Sequence, residues 1–430
     1  MSGQLRADAD RIVKSAIAQV MPEEAVRRAL EGRDFGLGDR PGLGGRLGLG
    51  GRLGPGRLIL VSAGKAGWSM GKAAWDCLGD RISAGIVITK HGQSEGPIGL
   101  LTVREAGHPV PDDDTFSAAQ EALALTDGLS AEDTVLFLLS GGGSALFESP
   151  LVAREELQDV TRQLLACGAD IVEMNTIRKR LSAVKGGRFA QHCAPAKVFA
   201  VVLSDIIGDP LDMIASGPAY PDSSTCADAK RIAAQYGLKL SGQAAALLDK
   251  ETPKALDNVE TQITGSVREL CRAAADACRE LGYEPVILTD CLSCEAREAG
   301  SFLASIARTN QGTRRSLAFL AGGETVVHLT GKGLGGRNQE LALSAARGIE
   351  GLAGTAVFSV GSDGTDGPTD AAGGYVDGTT AGSLRAQGVD LFAVLKDNDA
   401  YHALEKSGGL IMTGGTGTNV NDVAAVLIRR

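Results

Sequence analysis

The chain has 430 residues, more than one hydrophobic core usually serves, so the sequence predicts two domains. Hydrophobic residues make up 43% and charged residues 22%, proportions that are typical of a folded globular protein and exclude a disordered chain. The net charge of −9 disfavours a general surface for nucleic acid or anionic membrane, and aromatic residues, at 4%, are too few for a platform that stacks bases.

No apolar run approaches the roughly 18–20 residues that a membrane span requires. The first 20 residues show the pattern of an amphipathic helix and lack the apolar region of a secretion signal. The eight cysteines are dispersed apart from Cys291 and Cys294, and no second CxxC or histidine pair completes a zinc site. We therefore expect reduced thiols in a cytoplasmic protein.

The chain begins with a predicted helix over residues 9–31 and continues into a tract rich in glycine and arginine at 33–57. LGGRLG occurs twice in this tract. Glycine at such density cannot build a core, so the tract is predicted to be a flexible surface loop inserted into the first domain.

From residue 58 onward, apolar runs alternate with helical segments, as in RLILVSAG, AGIVITKHG, TVLFLLSGGGSAL and KVFAVVLSDIIGD. This alternation predicts a mostly parallel sheet that is covered by helices on both faces. A polar helical stretch near 222–262 marks the predicted junction between a first domain at 1–250 and a second at 251–430.

In the second domain, the segment 316–330 has the pattern of a hairpin, which predicts a smaller sheet of mixed direction. The sequence therefore predicts an α/β fold with two α/β/α domains, and the cleft between two such domains is the expected ligand site.

Polar residues concentrate directly after the predicted strands. Lys65, Asp205, Glu324 and Asp363 each follow an apolar run. Ligands of open α/β sheets collect beyond the carboxyl ends of the strands, so these four are candidate site residues. The carboxylates are candidates to ligate a divalent cation such as Mg²⁺ or, alternatively, to cap turns.

A glycine-rich turn, SGGGS, follows the strand TVLFLL. Its backbone N–H groups are suited to phosphate oxygens, although an ordinary strand-to-helix turn would read the same. Lys65 stands at the head of a helix, where a cation is unfavourable unless an anion neutralises it. No GxxxxGK[ST] occurs, which excludes a Walker-type phosphate loop. The candidate binding residues of the turn are Ser140, Gly141, Gly142, Gly143 and Ser144.

Two further segments gather donors. EMNTIRKRLSAVKGGR brings several donors to one helical face, where they converge on an anion or form a solvated basic face. GKGLGGRNQE places an arginine after a glycine turn, which suits bidentate binding of carboxylate or phosphate. The candidate donors are Asn175, Arg178, Lys179, Arg337, Asn338 and Gln339.

The second of these segments also matches GxGxxG at Gly331, Gly333 and Gly336, the pattern of a dinucleotide-binding turn. Such a turn expects an acidic residue about 20 positions on. Asp363 lies 27 positions after Gly336, so the match is weak. No histidine or cysteine pairs with a nucleophile, and His108 in GHPVPD is interpreted as a turn residue.

Long motifs along the chain resemble those of the glycerate 2-kinases, two-domain glycerate kinases whose C-terminal part is called the MOFRL domain. The motifs are SAGKAG, HPVPD, LLSGGGSAL, MNTIRKRLSAVKGGR, LSDIIGDPLDMIASGP, GGETVVHLTGKGLGGRNQELAL, SVGSDGTDGPTDAAGG and TGGTGTNVNDV. The resemblance runs from about residue 9 to 430. The tract at 33–57 departs from it and touches no motif.

The resemblance implies transfer of the ATP γ-phosphoryl group to the 2-hydroxyl of D-glycerate, giving 2-phosphoglycerate and ADP, with Mg²⁺. It also implies a Rossmann-like larger domain that faces a smaller α/β domain across a cleft. By this analogy, Lys65 and Arg337 are catalytic candidates. Lys65 would meet the transferring phosphoryl group, and Arg337 the glycerate carboxylate or the same phosphate.

Under this hypothesis, Asp205, Glu324 and Asp363 either ligate Mg²⁺ or accept the hydroxyl proton, whereas Asp366 and Asp370 cap turns. One alternative is an NAD(P)H-dependent hydroxypyruvate reductase, which rests on GxGxxG and on names given to members of the family. Another is a non-catalytic sensor of a small phosphorylated acid. A homodimer is a common default for such enzymes.

Overall fold

The computed structural model describes residues 2–33, 35 and 56–430, and the chain divides into two compact units. The parallel-sheet unit comprises Val26–Leu203 and Asp209–Thr264. The mixed-sheet unit comprises Met1–Ala25, Ser204–Gly208 and Gly265–Arg430. Apart from residues 33, 35, 56 and 57, the predicted loop lies outside the described residues.

The predicted domain boundary at 250/251 is wrong in two respects. The first unit continues to Thr264, and the first helix, α1 (Ser2–Gln19), belongs to the mixed-sheet unit. The single helix predicted over 9–31 is in fact α1 followed by α2 (Pro22–Leu30).

The strands of the parallel-sheet unit are β1 (Leu58–Ala63), β2 (Ala84–Lys90), β3 (Thr102–Ala106), β4 (Thr134–Leu139), β5 (Lys197–Leu203) and β6 (Val259–Gly265). Its remaining helices are α3 (Gly67–Leu78), α4 (Asp113–Leu125), α5 (Gly143–Leu146), α6 (Arg154–Ala166), α7 (Ile171–Arg180), α8 (Arg188–Cys193), α9 (Cys226–Gln235) and α10 (Gly242–Leu247).

The strand order is β3-β2-β1-β4-β5-β6, and the four pairs from β3 to β5 are parallel. Every residue of β1 and β4 is buried, as their uninterrupted apolar sequences predict. The Rossmann-like, mostly parallel sheet is therefore confirmed. The order reverses between β1 and β4, and this switch point is where ligands of such sheets bind.

The mixed-sheet unit contributes β7 (Glu284–Leu292), β8 (Leu317–Gly323), β9 (Thr355–Gly361), β10 (Gly373–Asp377), β11 (Leu410–Ile411) and β12 (Asp422–Ile428). Its helices after α1 are α11 (Val267–Glu280), α12 (Ala296–Thr309), α13 (Arg337–Gly348), α14 (Thr380–Ala386), α15 (Leu391–Lys396) and α16 (Ala400–Ser407). Every helix within the described ranges is too short or too polar to cross a membrane.

The order of this sheet is β11-β10-β9-β12-β8-β7. Only β7 and β8 pair in parallel, so the predicted mixed sheet is confirmed. The predicted hairpin at 316–330 is wrong, because the strand ends at Gly323 and the apolar residues Val326 and Leu329 are exposed. The antiparallel partner of β8 is β12, and no local sequence pattern predicts this pairing.

The helix α1 is part of the core of the mixed-sheet unit. Ile12 is fully buried and lies in one apolar cluster with Val267 and Leu270 of α11. The buried carboxylate of Asp8 accepts a hydrogen bond from the hydroxyl of Tyr283 at 2.6 Å. These contacts explain why α1 belongs to the same unit as the C-terminal part of the chain.

We expect Ile12→Ala to lower the free energy of unfolding by about 2–5 kcal/mol, since it leaves a cavity beneath the sheet. Urea unfolding followed by circular dichroism measures this change. Lys14→Ala, on the exposed face of α1, is the matched control and should stay within about 0.5 kcal/mol of the wild type. Equal effects of the two substitutions would contradict the packing of α1.

Candidate functional site

Lys65 lies at the switch point, beside the turn that ends β4. Its backbone N–H donates to the carbonyl of Gly141 at 2.8 Å, and the next amide, of Ala66, donates to Ser140 Oγ at 3.1 Å. Gly64 adopts a φ of 132°, and a Cβ there would lie 2.2 Å from Ser140 Oγ. The backbone is thus fixed, while the Lys65 side chain is exposed and can meet a ligand.

The turn at 140–144 also meets His108. Gly142 has a φ of 82°, and a Cβ at this position would lie 3.0 Å from both Lys65 Cγ and His108 Cδ2. A Cβ here would crowd both side chains, and the positive φ further favours glycine at this position. We call Lys65, His108 and residues 140–144 the switch-point cluster.

The structure connects two of the predicted donors to this cluster. Ser144 Oγ lies 3.0 Å from Ser216 Oγ, which donates to Asn175 Oδ1 at 3.0 Å. Arg178 donates through Nη2 to the carbonyl of Ser144 at 3.3 Å. Its Nε is buried and has no partner among the described residues. Asn175 and Arg178 therefore lie beside the turn, and their binding of substrate or phosphate stays a prediction.

Sequence reasoning missed Ser216. This residue and Ala215 have φ values of 61° and 50°, a conformation that costs a non-glycine residue energy and often marks a functional segment. The strained turn places the buried hydroxyl of Ser216 between the side chains of Ser144 and Asn175. No residue type in IASGP signals this backbone conformation in advance.

Lys179, another predicted donor, lies in the interior of the parallel-sheet unit. Its side chain is only 2% exposed, and Nζ lies 3.0 Å from Asp222 Oδ1 in a buried ion pair. Asp222 is also bonded by Thr252 and Ser224. The charge of Lys179 is therefore already balanced inside the unit, and binding of substrate or phosphate by this residue stays an untested prediction.

In the mixed-sheet unit, Arg337 is held by two carboxylates. Its Nε and Nη2 donate to the two oxygens of Asp422 at 2.6 and 3.0 Å, and Nη1 donates to Glu324 Oε1 at 2.8 Å. Burial lowers the pKa of Arg337, but Asp422 and Glu324 outweigh it and raise that pKa. Arg337 is thus a permanent cation in a fixed plane, with much of its charge balanced.

The three predicted metal ligands do not form a ready cluster. Asn421 Nδ2 donates to the carbonyl of Asp205 at 3.2 Å and to Glu324 Oε2 at 3.3 Å. Asp363 Oδ1 accepts the backbone N–H of Thr365 at 3.0 Å, a turn-capping bond. In the described part of the chain, the one group of three potential ligands within 4.8 Å of one another is a different one, composed of His91, Asp112 and Asp114.

Asn338 and Gln339 are buried inside the mixed-sheet unit. Their backbone N–H groups donate to the carboxylate of Asp366 at 3.1 and 2.8 Å, and Gln339 Nε2 donates to Thr369 Oγ1 at 2.8 Å. Both side chains thus hold the Asp366 loop, and binding of substrate by Asn338 and Gln339 stays an untested prediction.

The same contacts allow the GxGxxG segment to be compared with a dinucleotide-binding turn. In a dinucleotide-binding turn the free N–H groups of the helix bind pyrophosphate. At the start of α13 the carboxylate of Asp366 occupies that position, and a Cβ at Gly336 would lie 2.3 Å from Asp366 Cγ. Gly336 thus makes room for a carboxylate of the chain itself, and the amides that would bind pyrophosphate in a dinucleotide-binding turn are already bonded to it.

Asp366 gives a prediction about pH. Burial raises its pKa to about 7, against the lowering effect of the Gln339 and Asn338 amides, whereas the ordinary value is 3.8. Between these values the folded state holds a proton that the unfolded state has lost, so this carboxyl group destabilises the fold progressively as pH rises to about 7.

We expect the unfolding free energy of Asp366→Asn, relative to the wild type, to increase from pH 5 to pH 8. The lost hydrogen bond adds an offset that does not depend on pH. Urea titrations at both pH values measure the difference, with the exposed Asp370→Asn in the same loop as control. A difference that stays constant with pH would show that Asp366 is ionised throughout.

Two family models match the chain. Residues 8–249 match a domain of unknown function (DUF4147), and residues 317–422 match the MOFRL family. The chain is 51% identical over 423 residues to D-glycerate 2-kinase of Thermotoga maritima, covering 97% of each protein. It is 40% identical over 439 residues to glycerate 2-kinase of Pyrococcus horikoshii, covering 97% of this chain and 96% of the relative.

The fold agrees with these similarities. The crystal structure of a glycerate kinase from Thermotoga maritima superimposes with a TM-score of 0.90 at 51% sequence identity, covering 99% of this chain and 100% of that one. Similarity of sequence and fold over both units leads to one conclusion: the chain belongs to the glycerate kinase family.

Proposed function

We propose that this chain transfers the γ-phosphoryl group of ATP to the 2-hydroxyl of D-glycerate, giving 2-phosphoglycerate and ADP. The observation that carries this function is the switch-point cluster, in which the exposed ammonium of Lys65 lies beside an open glycine turn. Phosphoryl transfer needs positioning and charge neutralisation more than covalent chemistry, and this cluster supplies both. The relatives named glycerate 2-kinase support the substrate and the position of transfer.

In this proposal Lys65 neutralises the transferring phosphoryl group, and the N–H groups of Gly141, Gly142 and Ser144 bind phosphate or substrate oxygens, since the amides of Ser140 and Gly143 already donate within the chain. Arg178 and Asn175 add donors beside the turn. Arg337 is the second catalytic cation and meets the glycerate carboxylate or the phosphate, with its plane fixed by the ion pairs described above.

Mg²⁺ is proposed as the accompanying cation. The carboxylates of Asp205, Glu324 and Asp363 would supply the oxygen ligands that Mg²⁺ prefers, and one or two such ligands would suffice beside phosphate oxygens. Asn421 Oδ1 is a further oxygen, buried without a partner among the described residues. When bound, the ion would neutralise negative charge on the phosphates of ATP.

A reducing compartment, the cytoplasm, is the proposed location. All eight cysteines lie in the described ranges and none of them forms a disulfide, as expected where disulfides do not persist.

The test is one incubation of the purified chain with D-glycerate, ATP and Mg²⁺, followed by phosphorus NMR. We expect a phosphomonoester signal that matches authentic 2-phosphoglycerate, together with ADP, and neither signal when glycerate is omitted. Intact ATP combined with oxidation of NADH in the presence of hydroxypyruvate would overturn the proposal in favour of the reductase. The occupied N-terminus of α13 argues against that outcome.

A further inference from the structure

His108 occupies a fixed position in the loop between β3 and α4. The preceding amide, of Gly107, donates to Asp112 Oδ1 at 3.0 Å, and the same carboxylate accepts the N–H of Thr115 at 2.9 Å to cap α4. A Cβ at Gly107 would lie 2.8 Å from Asp112 Cγ. The loop is therefore closed tightly on Asp112, which determines where the imidazole lies.

Within the switch-point cluster, the ring of His108 lies beside Gly142 and Lys65 and has no hydrogen-bond partner of its own among the described residues. A Cβ at Gly142 would lie 3.1 Å from His108 Nε2 and 3.0 Å from Lys65 Cγ, so the ring edge, the turn and the lysine stem are neighbours. Within the described ranges neither ring nitrogen has a hydrogen-bond partner. Other histidines do have one, since His91 pairs with Asp112 and His192 with the carbonyl of Leu123.

A half-buried imidazole with no hydrogen-bond partner costs free energy unless a ligand or a water molecule supplies the missing hydrogen bond. The charged groups that act on this ring are both cations, Lys65 at the end of β1 and Lys90 at the end of β2. Burial, followed by these two charges, lowers the pKa of His108 below its ordinary 6.5. At neutral pH the ring is therefore uncharged and one nitrogen offers a lone pair.

We propose that His108 accepts the proton of the D-glycerate hydroxyl during phosphoryl transfer, an inference that rests on the proposed function. The hydroxyl oxygen forms a bond to the γ-phosphorus while the bond from that phosphorus to the β,γ-bridging oxygen breaks. The hydroxyl proton moves to a ring nitrogen of His108, and ADP leaves with the electrons of the broken bond. The imidazolium then returns its proton to water.

The geometry favours His108 over the carboxylates for this step. Lys65, the proposed phosphoryl-binding cation, is its direct neighbour, so an acceptor hydroxyl in line with that phosphate comes within reach of the imidazole. The carboxylate of Asp363, by contrast, is engaged with the N–H of Thr365. Lys65 would also favour rapid loss of the proton from the imidazolium once transfer is complete.

The test compares the wild type with His108→Gln from pH 5 to 9, with ADP formation as the measured rate. For the wild type we expect kcat/KM for D-glycerate to fall on the acid side, with an apparent pKa below 6.5. His108→Gln should lower kcat by about 10²–10⁴-fold and abolish the acid limb, with little change in the KM for ATP. Added imidazole should partly restore His108→Ala, which a purely structural role would not allow.

His402→Gln is the control, because that ring is exposed and bonded to Asp399 in the mixed-sheet unit. A His108→Gln variant with kcat within threefold of the wild type and an unchanged acid limb would overturn the inference. If the wild type forms no phosphoglycerate, the proposed function itself fails.

A second measurement does not depend on variants. In the wild type, NMR of histidines labelled with ¹³C and ¹⁵N follows the His108 ring directly. Addition of D-glycerate should shift the ring signals and change their titration, and a ring that does not respond to D-glycerate would also overturn the inference.

Discussion

Lys65→Ala should lower kcat by about two to three orders of magnitude, the usual effect of removing one charged donor that stabilises a transition state. The fold should survive, because the contacts that hold this segment are made by the backbone of Lys65 and by Ser140 Oγ, and the lysine side chain is exposed. Steady-state kinetics with D-glycerate and ATP, together with a thermal melt, measures both effects.

The matched control for this substitution is Lys72→Ala. Lys72 lies on the same strand–helix unit and forms an exposed ion pair with Asp76 at 2.7 Å. Exposed pairs of this kind contribute little, so turnover and melting temperature should change only slightly. Equal turnover of the Lys65 and Lys72 variants would remove Lys65 from the mechanism.

Arg337→Ala should abolish turnover and also destabilise the mixed-sheet unit by about 3–5 kcal/mol. The reason is the carboxylate of Asp422, which has a side chain only 8% exposed and would lose its bidentate partner. Urea unfolding and kinetics measure the two effects. Arg347→Ala, later in α13, is the control and should leave activity near the wild-type value.

A double variant separates the two roles of Arg337. Replacement of a buried ion pair by apolar residues of similar size often restores stability. Arg337→Met combined with Asp422→Leu should therefore recover most of the lost unfolding free energy and yet stay inactive. A stable double variant with wild-type turnover would show that Arg337 is structural and remove it from the proposed site.

Much of the parallel-sheet unit could be predicted because its signals are local. Buried parallel strands read as continuous apolar runs, and polar residues after β1 and β4 meet because these strands are neighbours. The positions of Lys65 and SGGGS follow from that geometry. The conformation of Ser216 and the neighbours of His108 depend on backbone angles that no residue type there encodes, so they required the structure.

What could not be predicted concerns partners that are distant in the chain. Asp222, the partner of Lys179, is 43 residues away, and Asp422, the partner of Arg337, is 85 residues away. The sequence alone does not distinguish a basic side chain that faces solvent from one that is paired with a buried carboxylate. For the same reason, the sequence could not show that α1 packs in the second unit or that β12, instead of a hairpin, completes the pairing of β8.

The packing of α1 has a consequence for synthesis of the protein. Its core partners in α11 follow after about 250 further residues, and β12 completes their sheet only near residue 428. At 5–20 residues per second, the ribosome needs roughly 20–80 seconds to synthesise the chain between α1 and the end of β12. The parallel-sheet unit can fold during that time, whereas the apolar face of α1 stays uncovered and is a natural ligand for a chaperone that binds nascent chains.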